Sequence, residues 1–194
     1  MRLFQRFPLL LFQPDYATSD LYDSPPMIDA FVVVSAYAVL SALKPFIEVV
    51  VAFGSIKFAL FTFMGTAALI YLTWVCLTLF FHFVSDVLGA TGELHNAVSF
   101  VGLAAAPNVV IAVISLLILI VKLIFFSEQT PEVLSYGDFA LSLIGMAWGW
   151  PGMLCYFGLK NAERLGSIKA LLVVMPVFFG FAMLEVMTST LFAV

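Results

Sequence analysis

Charge is what this sequence has least of: 10% of its 194 residues are Asp, Glu, Lys or Arg, against roughly a quarter in an ordinary soluble domain. No water-soluble fold hides the 63% of residues that are hydrophobic, at a mean hydropathy of +1.13. The 8 basic residues form no run and are outnumbered by 12 acidic ones, which excludes nucleic acid as a partner. Cysteine occurs only twice. Cys76 and Cys155 both lie in apolar stretches, where the residue packs as a small polarizable side chain rather than pairing or ligating a metal. Nor is a cleavable leader expected in this stretch: MRLFQRFPLLLFQPDY starts basic, but Pro8 and the Gln13-Pro14 pair interrupt its apolar core and no small-x-small site follows. Residues 2–11 are instead expected to lie on a membrane surface with Arg outward and Leu and Phe inward.

What is present in quantity is membrane-crossing helix. A crossing takes about 20 apolar residues for a ~30 Å hydrocarbon layer, so the chain holds about five, with no room for a soluble catalytic domain. The expected fold is therefore an all-α integral membrane bundle of about five transmembrane helices behind an N-terminal amphipathic segment, residues 1–26, closed by Pro25-Pro26. The first crossing is expected over 27–43, with Asp29 near its positive end and Lys44-Pro45 as its stop. From 46 to 84 the sequence is almost continuously apolar, and as one helix it would be about 58 Å long. Glu48, Gly54, Ser55 and Lys57 divide it into a short interfacial or re-entrant helix at 46–56 and a second crossing at 58–84. Crossings at 96–121, 139–159 and 169–193 follow, separated by the polar loop 127–138 and the basic loop 160–168.

The stretch LGATGELHNAVSFVGLAAAP, residues 88–107, is the turn at which the chain surfaces and dives again. Placing the N-terminus inside gives the cytoplasmic side Arg2, Arg6, Lys160, Arg164 and Lys169, and the other side Lys44, Lys57 and Lys122. That bias favours N-in, C-out. Helix-packing candidates are Gly145 and Gly149, a G-x-x-x-G, with Gly152 beyond them.

Four polar residues flank the turn: His82 and Asp86 one helical turn apart, then Glu93 and His95. Histidine and carboxylate side chains at such spacing are candidate metal ligands, and equally the groups that cap two helix ends at an interface. Glu185 lies inside the fifth crossing, where a charge costs about 2.5 to 3.5 kcal/mol. It reads as an inter-helix hydrogen bond, a proton or solute site, or a protonated carboxyl beside lipid, level with Lys57 and Lys122. No G-x-S-x-G or H-E-x-x-H occurs, so no catalytic residue is expected. The 21 phenylalanines read as lipid-facing and packing side chains; no cofactor is called for, and bound lipid is expected.

Three segments resemble the Yip family, the Ypt/Rab-interacting-protein membrane domain. The first is Leu88-Gly89 followed by a polar stretch, with Gly102 then preceding Pro107 by five residues, although Leu103 stands where tyrosine is common. A second, Asp20-Leu21-Tyr22-Asp23-Ser24-Pro25, is similar to the family's Asp-Leu-Tyr-Gly-Pro signature, with Asp23 in place of glycine and Ser24 extra. The third joins Gly158-Leu159-Lys160 to Leu165-Gly166-Ser167-Ile168-Lys169-Ala170. The resemblance implies five helices, a cytoplasmic N-terminus and no catalytic motif. Without the long N-terminal region of eukaryotic members, it points to a bacterial-type protein of the inner membrane, a eukaryotic endomembrane being the alternative.

Two functions remain on these readings. One is a non-enzymatic organiser or accessory subunit that binds other integral membrane proteins. The other is a small-solute, ion or lipid carrier built on helices broken at Pro107, Pro151 and Pro176, with Glu185 as coupling group.

Overall fold

A computed structural model describes the chain over residues 3–125 and 146–191, with side chains for 3–124, 149–181 and 183. Its elements are α1 (Leu3–Phe12), α2 (Pro14–Thr18), α3 (Met27–Phe53), α4 (Ile56–Val87), α5 (Leu94–Leu103), α6 (Ala106–Phe125), α7 (Met146–Asn161) and α8 (Ser167–Leu191). Among the described residues three spans are long and apolar enough to cross a membrane: Met27–Phe53, Ile56–Val87 and Leu94–Ile124. The expected fourth and fifth crossings correspond to α7 and α8, the first residues of the fourth lying outside the described residues. The protein is thus an all-α integral membrane bundle.

Helix α3 is its hub, packed against α4, α5 and α6, while α7 joins α5 and α6 to α8. Small residues make that possible. Ala30, Ala38 and Ala42 are buried along α3, and a Cβ on Gly102 of α5 would lie 2.7 Å from that of Ala30. The family-like glycine is therefore the point at which α5 meets α3 backbone to backbone. Outward faces carry the large apolar side chains, such as Phe61, Leu69, Leu72 and Leu172, all exposed, as a lipid surround permits.

Three expectations are corrected and one is met. Lys44-Pro45 does not stop the first crossing: α3 runs through Pro45 to Phe53 and ends on Gly54 at φ 63°, so there is no re-entrant helix at 46–56. Stopping at Lys44 would strand a full turn of carbonyls in an apolar layer, whereas the proline removes one bond. Gly54 then supplies the left-handed C-cap, and Ser55 caps α4 by accepting from the Phe58 N–H at 3.4 Å. The whole α3–α4 connection is two residues long.

The break expected at Pro107 is present: the third crossing is two helices parted at Ala104-Ala105. Pro107 has no N–H for the Leu103 carbonyl, and its ring crowds that carbonyl, so the helix opens one turn upstream. Pro107 itself sits in the first turn of α6, where no donor is required. Pro151 and Pro176, by contrast, do not break their helices; α7 and α8 run through them.

The third correction is the orientation of α1. Arg6 points inward, 1% exposed, while Phe4 and Phe12 are 91% and 80% exposed. The segment packs on the bundle, α1 against α6 and α2 against α7, and the Trp150 Nε1 donates to the Leu10 carbonyl at 3.2 Å. Facing lipid outside and protein inside, a helix turns its polar group in.

Candidate functional site

One end of the bundle gathers the N-terminal segment, the α4–α5 turn and the α7–α8 loop. The turn is made by its own backbone. Gly89, at φ 82°, lets its N–H bond the Asp86 carbonyl at 3.0 Å and the Ala90 N–H reach back to Ser85 at 2.9 Å. That is a Schellman stop, the reason for glycine after Leu88. Lys169, at the start of α8, donates to the Leu88 carbonyl at 2.8 Å and places a cation at the negative end of α4.

Past the stop, the Thr91 N–H bonds the Glu163 carbonyl at 3.2 Å, and the Asn96 amide donates to the Ala162 carbonyl at 3.1 Å. Turn and loop are so close that any side chain on Gly92 would collide with the Glu163 carboxyl. Gly158 has the same tightness against the Phe100 ring. In the loop, Arg164 takes φ 54°, a left-handed conformation that costs a non-glycine residue roughly 1 kcal/mol or more. This turns the guanidinium onto the Tyr22 ring, 3.5 Å from its centroid, with the Asp23 carboxylate at 4.0 Å.

The N-terminal segment is tied down by ions. Arg6 bonds Asp20 bidentately, both contacts at 2.9 Å, and donates to the Ala17 carbonyl at 3.1 Å. Asn161 donates to the Asp15 carboxylate at 3.0 Å, with Lys160 at 3.3 Å. The Asn161 bond, with Lys160 behind it, holds Asp15 below the usual carboxylate range despite partial desolvation.

Beneath the turn lies Glu163, 0% exposed. Neither carboxyl oxygen has a hydrogen-bond partner among the described residues. The His82 Nδ1 is 3.8 Å from Oε1, beyond hydrogen-bond reach. Burial, and then the neighbouring Asp86 charge, push Glu163, which lies in the loop outside the membrane-spanning helices, from 4.5 up to about 7. Beside it, an open groove of about 450 Å³ runs between the turn and the first residues of α8, lined by Leu88, Gly89, Arg164, Leu165, Gly166, Ser167, Ile168 and Lys169.

The structure therefore unites Asp20, Leu21, Tyr22, Leu88, Gly89 and the 158–170 loop at one end, and uses Gly102 and Pro107 for packing and helix shape. Pro25 helps lead into α3. The four metal-ligand candidates separate into two neighbourhoods: His95 pairs with Glu93 at 3.2 Å, whereas His82 and Asp86 face Glu163. Among the described residues no three His, Cys, Asp or Glu side chains converge as a metal site. Gly152 packs on the Phe178 ring, where an added Cβ would lie at 3.1 Å, but Gly149 has nothing in reach among the described residues. Gly145 and the Glu185 side chain lie outside the described residues and side chains.

Sequence reading missed Glu163, which it passed over as one acid in a basic loop, and it missed Arg6 as a buried clamp. For Glu163 no local signal existed, since its burial comes from a turn about seventy residues earlier in the chain.

No curated protein and no solved structure matches this chain. A family model, the Yip1 domain, matches residues 9–187, a span that takes in the α4–α5 turn, the α7–α8 loop and the N-terminal segment from Leu9 onward. The chain belongs to the Yip1 domain family.

Proposed function

We propose that this protein is a non-enzymatic organiser or accessory subunit that binds another integral membrane protein through the end of the bundle just described. One observation carries the reading: three segments far apart in sequence are folded into a single surface bearing Tyr22, Asp23, Arg164 and Lys169 beside an open groove. Holding Arg164 in a left-handed conformation costs stability, and an exposed charge so placed over a half-buried aromatic ring suits recognition. The excess of Lys and Arg at this end supports a cytoplasmic orientation, in a bacterial inner membrane on the bacterial-type reading. Lipid, covering the outward apolar faces, is the other partner. The carrier alternative rests on Glu185 and on helix breaks of which one, at Ala104-Ala105, is present in the described helices.

The test is recovery of the tagged chain from its native membrane in gentle detergent, followed by mass determination. A stoichiometric complex that Arg164→Ala dissociates, with the melting temperature of the isolated chain unchanged, is expected. A lone monomer or homo-oligomer would sink the subunit reading and lead to transport assays in liposomes.

A further inference from the structure

Several buried polar atoms of this protein share one helix face. On α4 the Trp74 Nε1, Thr78 Oγ, His82 Nδ1 and Ser85 Oγ are all buried with no hydrogen-bond partner among the described residues. Their spacing of four, four and three residues keeps them within one side of the helix, over about 16 Å of its length. Thr78 and Ser85 are buried as whole residues. Phe81, between them, packs on Phe100 of α5 and stacks on Phe178 of α8, at 6.1 and 6.5 Å, so this side of α4 faces protein rather than lipid. At the polar end His82 approaches Glu163, both of whose carboxyl oxygens are likewise without partners among the described residues.

We propose that this seam carries a file of water molecules from the polar end of the bundle toward the membrane interior, with the Glu163–His82 pair at its mouth as a proton-binding site. The inference is independent of the docking reading above. Hydroxyl, indole, imidazole and carboxyl groups gathered on one buried face cannot satisfy one another at these spacings, and water, which both donates and accepts, satisfies all of them. The 3.8 Å between His82 Nδ1 and Glu163 Oε1 is too long for a direct bond, which leaves both groups to be satisfied by water beside them. His82 is itself partly exposed, which opens the mouth.

The surroundings of Glu163 favour a neutral carboxyl. From α4 it faces His82 and the Asp86 carboxylate. From the turn it meets the backbone of Gly92, while Glu93 and His95 pair with each other. Arg164 is committed to Tyr22 and Asp23, and Lys169 to the Leu88 carbonyl. Loading is a plain acid–base step: hydronium in the seam gives its proton to a Glu163 oxygen, an O–H bond forms there, and water is left behind. The same burial and the same Asp86 charge that hold the proton place its release near neutral pH.

Two measurements on the full chain in lipid vesicles test this. In a Cys76→Ala, Cys155→Ala background, Thr78→Cys and Ser85→Cys are exposed to a small cationic methanethiosulfonate reagent, with the buried apolar position Ala97→Cys as the dry control. Infrared difference spectra of the unsubstituted chain follow the protonated-carboxyl C=O band as pH is raised. Reaction at positions 78 and 85 but not 97, and a band that disappears toward alkaline pH and is lost in Glu163→Gln, are expected. Cysteines at 78 and 85 as inert as that at 97 would overturn the water file. A band that never titrates, or that survives Glu163→Gln, would overturn the proton site. Should Glu163→Gln fail to fold, Glu163→Asp keeps an acid in place and is expected to shift the band; an unshifted band overturns the assignment.

Discussion

Glu163 shows how much one side chain depends on its distant neighbours. As a carboxylate in the apolar space under Gly92 it would lose hydration and gain the repulsion of Asp86, so the folded protein holds its proton more tightly than the unfolded chain does. The sign of the consequence follows from linkage. With a folded value raised from 4.5 to about 7, the group's contribution to stability is complete below about 4.5, declines as pH rises through that window, and levels off above about 7. The apparent melting temperature in detergent should therefore fall across that range, and Glu163→Gln should flatten the slope. A slope unchanged by the substitution would mean that another group titrates. Asp15 acts in a separate window: its depressed value gives stability present above 3.8 and lost as pH falls below it. Nothing adjacent to Glu163 in sequence announces burial, which is why loop composition was no guide to it.

Among the elements, the N-terminal segment is the one whose sequence pattern points the wrong way. Its alternation of Arg with Leu and Phe reads as a helix on a water–lipid boundary, Arg to water. Packed on a membrane bundle, its polar neighbours are protein groups, and Arg6 turns in to Asp20 and the Ala17 carbonyl. Arg6→Ala leaves Asp20 without its bidentate partner and should cost about 3 kcal/mol, read as lower unfolding free energy together with protease sensitivity of residues 3–18. Replacing both ends, Arg6→Met with Asp20→Leu, should be milder than Arg6→Ala, because no uncompensated charge remains. A double substitution as damaging as the single one would show that the charges themselves carry the docking. Helix α3 teaches the converse lesson. Lys44-Pro45 has the local chemistry of a stop, yet the environment decides, because an ended helix within lipid strands more backbone groups than a proline does.

For the molecule as a whole, the arrangement fixes sidedness. The N-terminal segment, the α4–α5 turn and the α7–α8 loop share one end through direct bonds, and α3 and α4, joined by a two-residue connection, put Gly54 and Ser55 at the other. In a chain without native cysteines, Ser19→Cys, Thr91→Cys and Ser167→Cys should all react with an impermeant thiol reagent from one face of sealed vesicles, and Ser55→Cys from the opposite face. Reaction of Ser55→Cys and Thr91→Cys from the same side would refute a membrane-spanning α4, as a re-entrant hairpin would predict.

The amino-acid order alone set the class of this protein and the approximate positions of its helices, because apolar runs of crossing length admit only one backbone solution in lipid. It also set the glycine turn at 88–89 and the break before Pro107, since these follow from φ preferences and a missing donor that act within a few residues. The partners were a different matter. That Gly92 covers Glu163, that Arg164 lies on Tyr22, that Arg6 clamps Asp20 and that a polar face of α4 looks inward all depend on which segments lie side by side. Burial and electrostatic environment are properties of that juxtaposition, and only the packed helices create them.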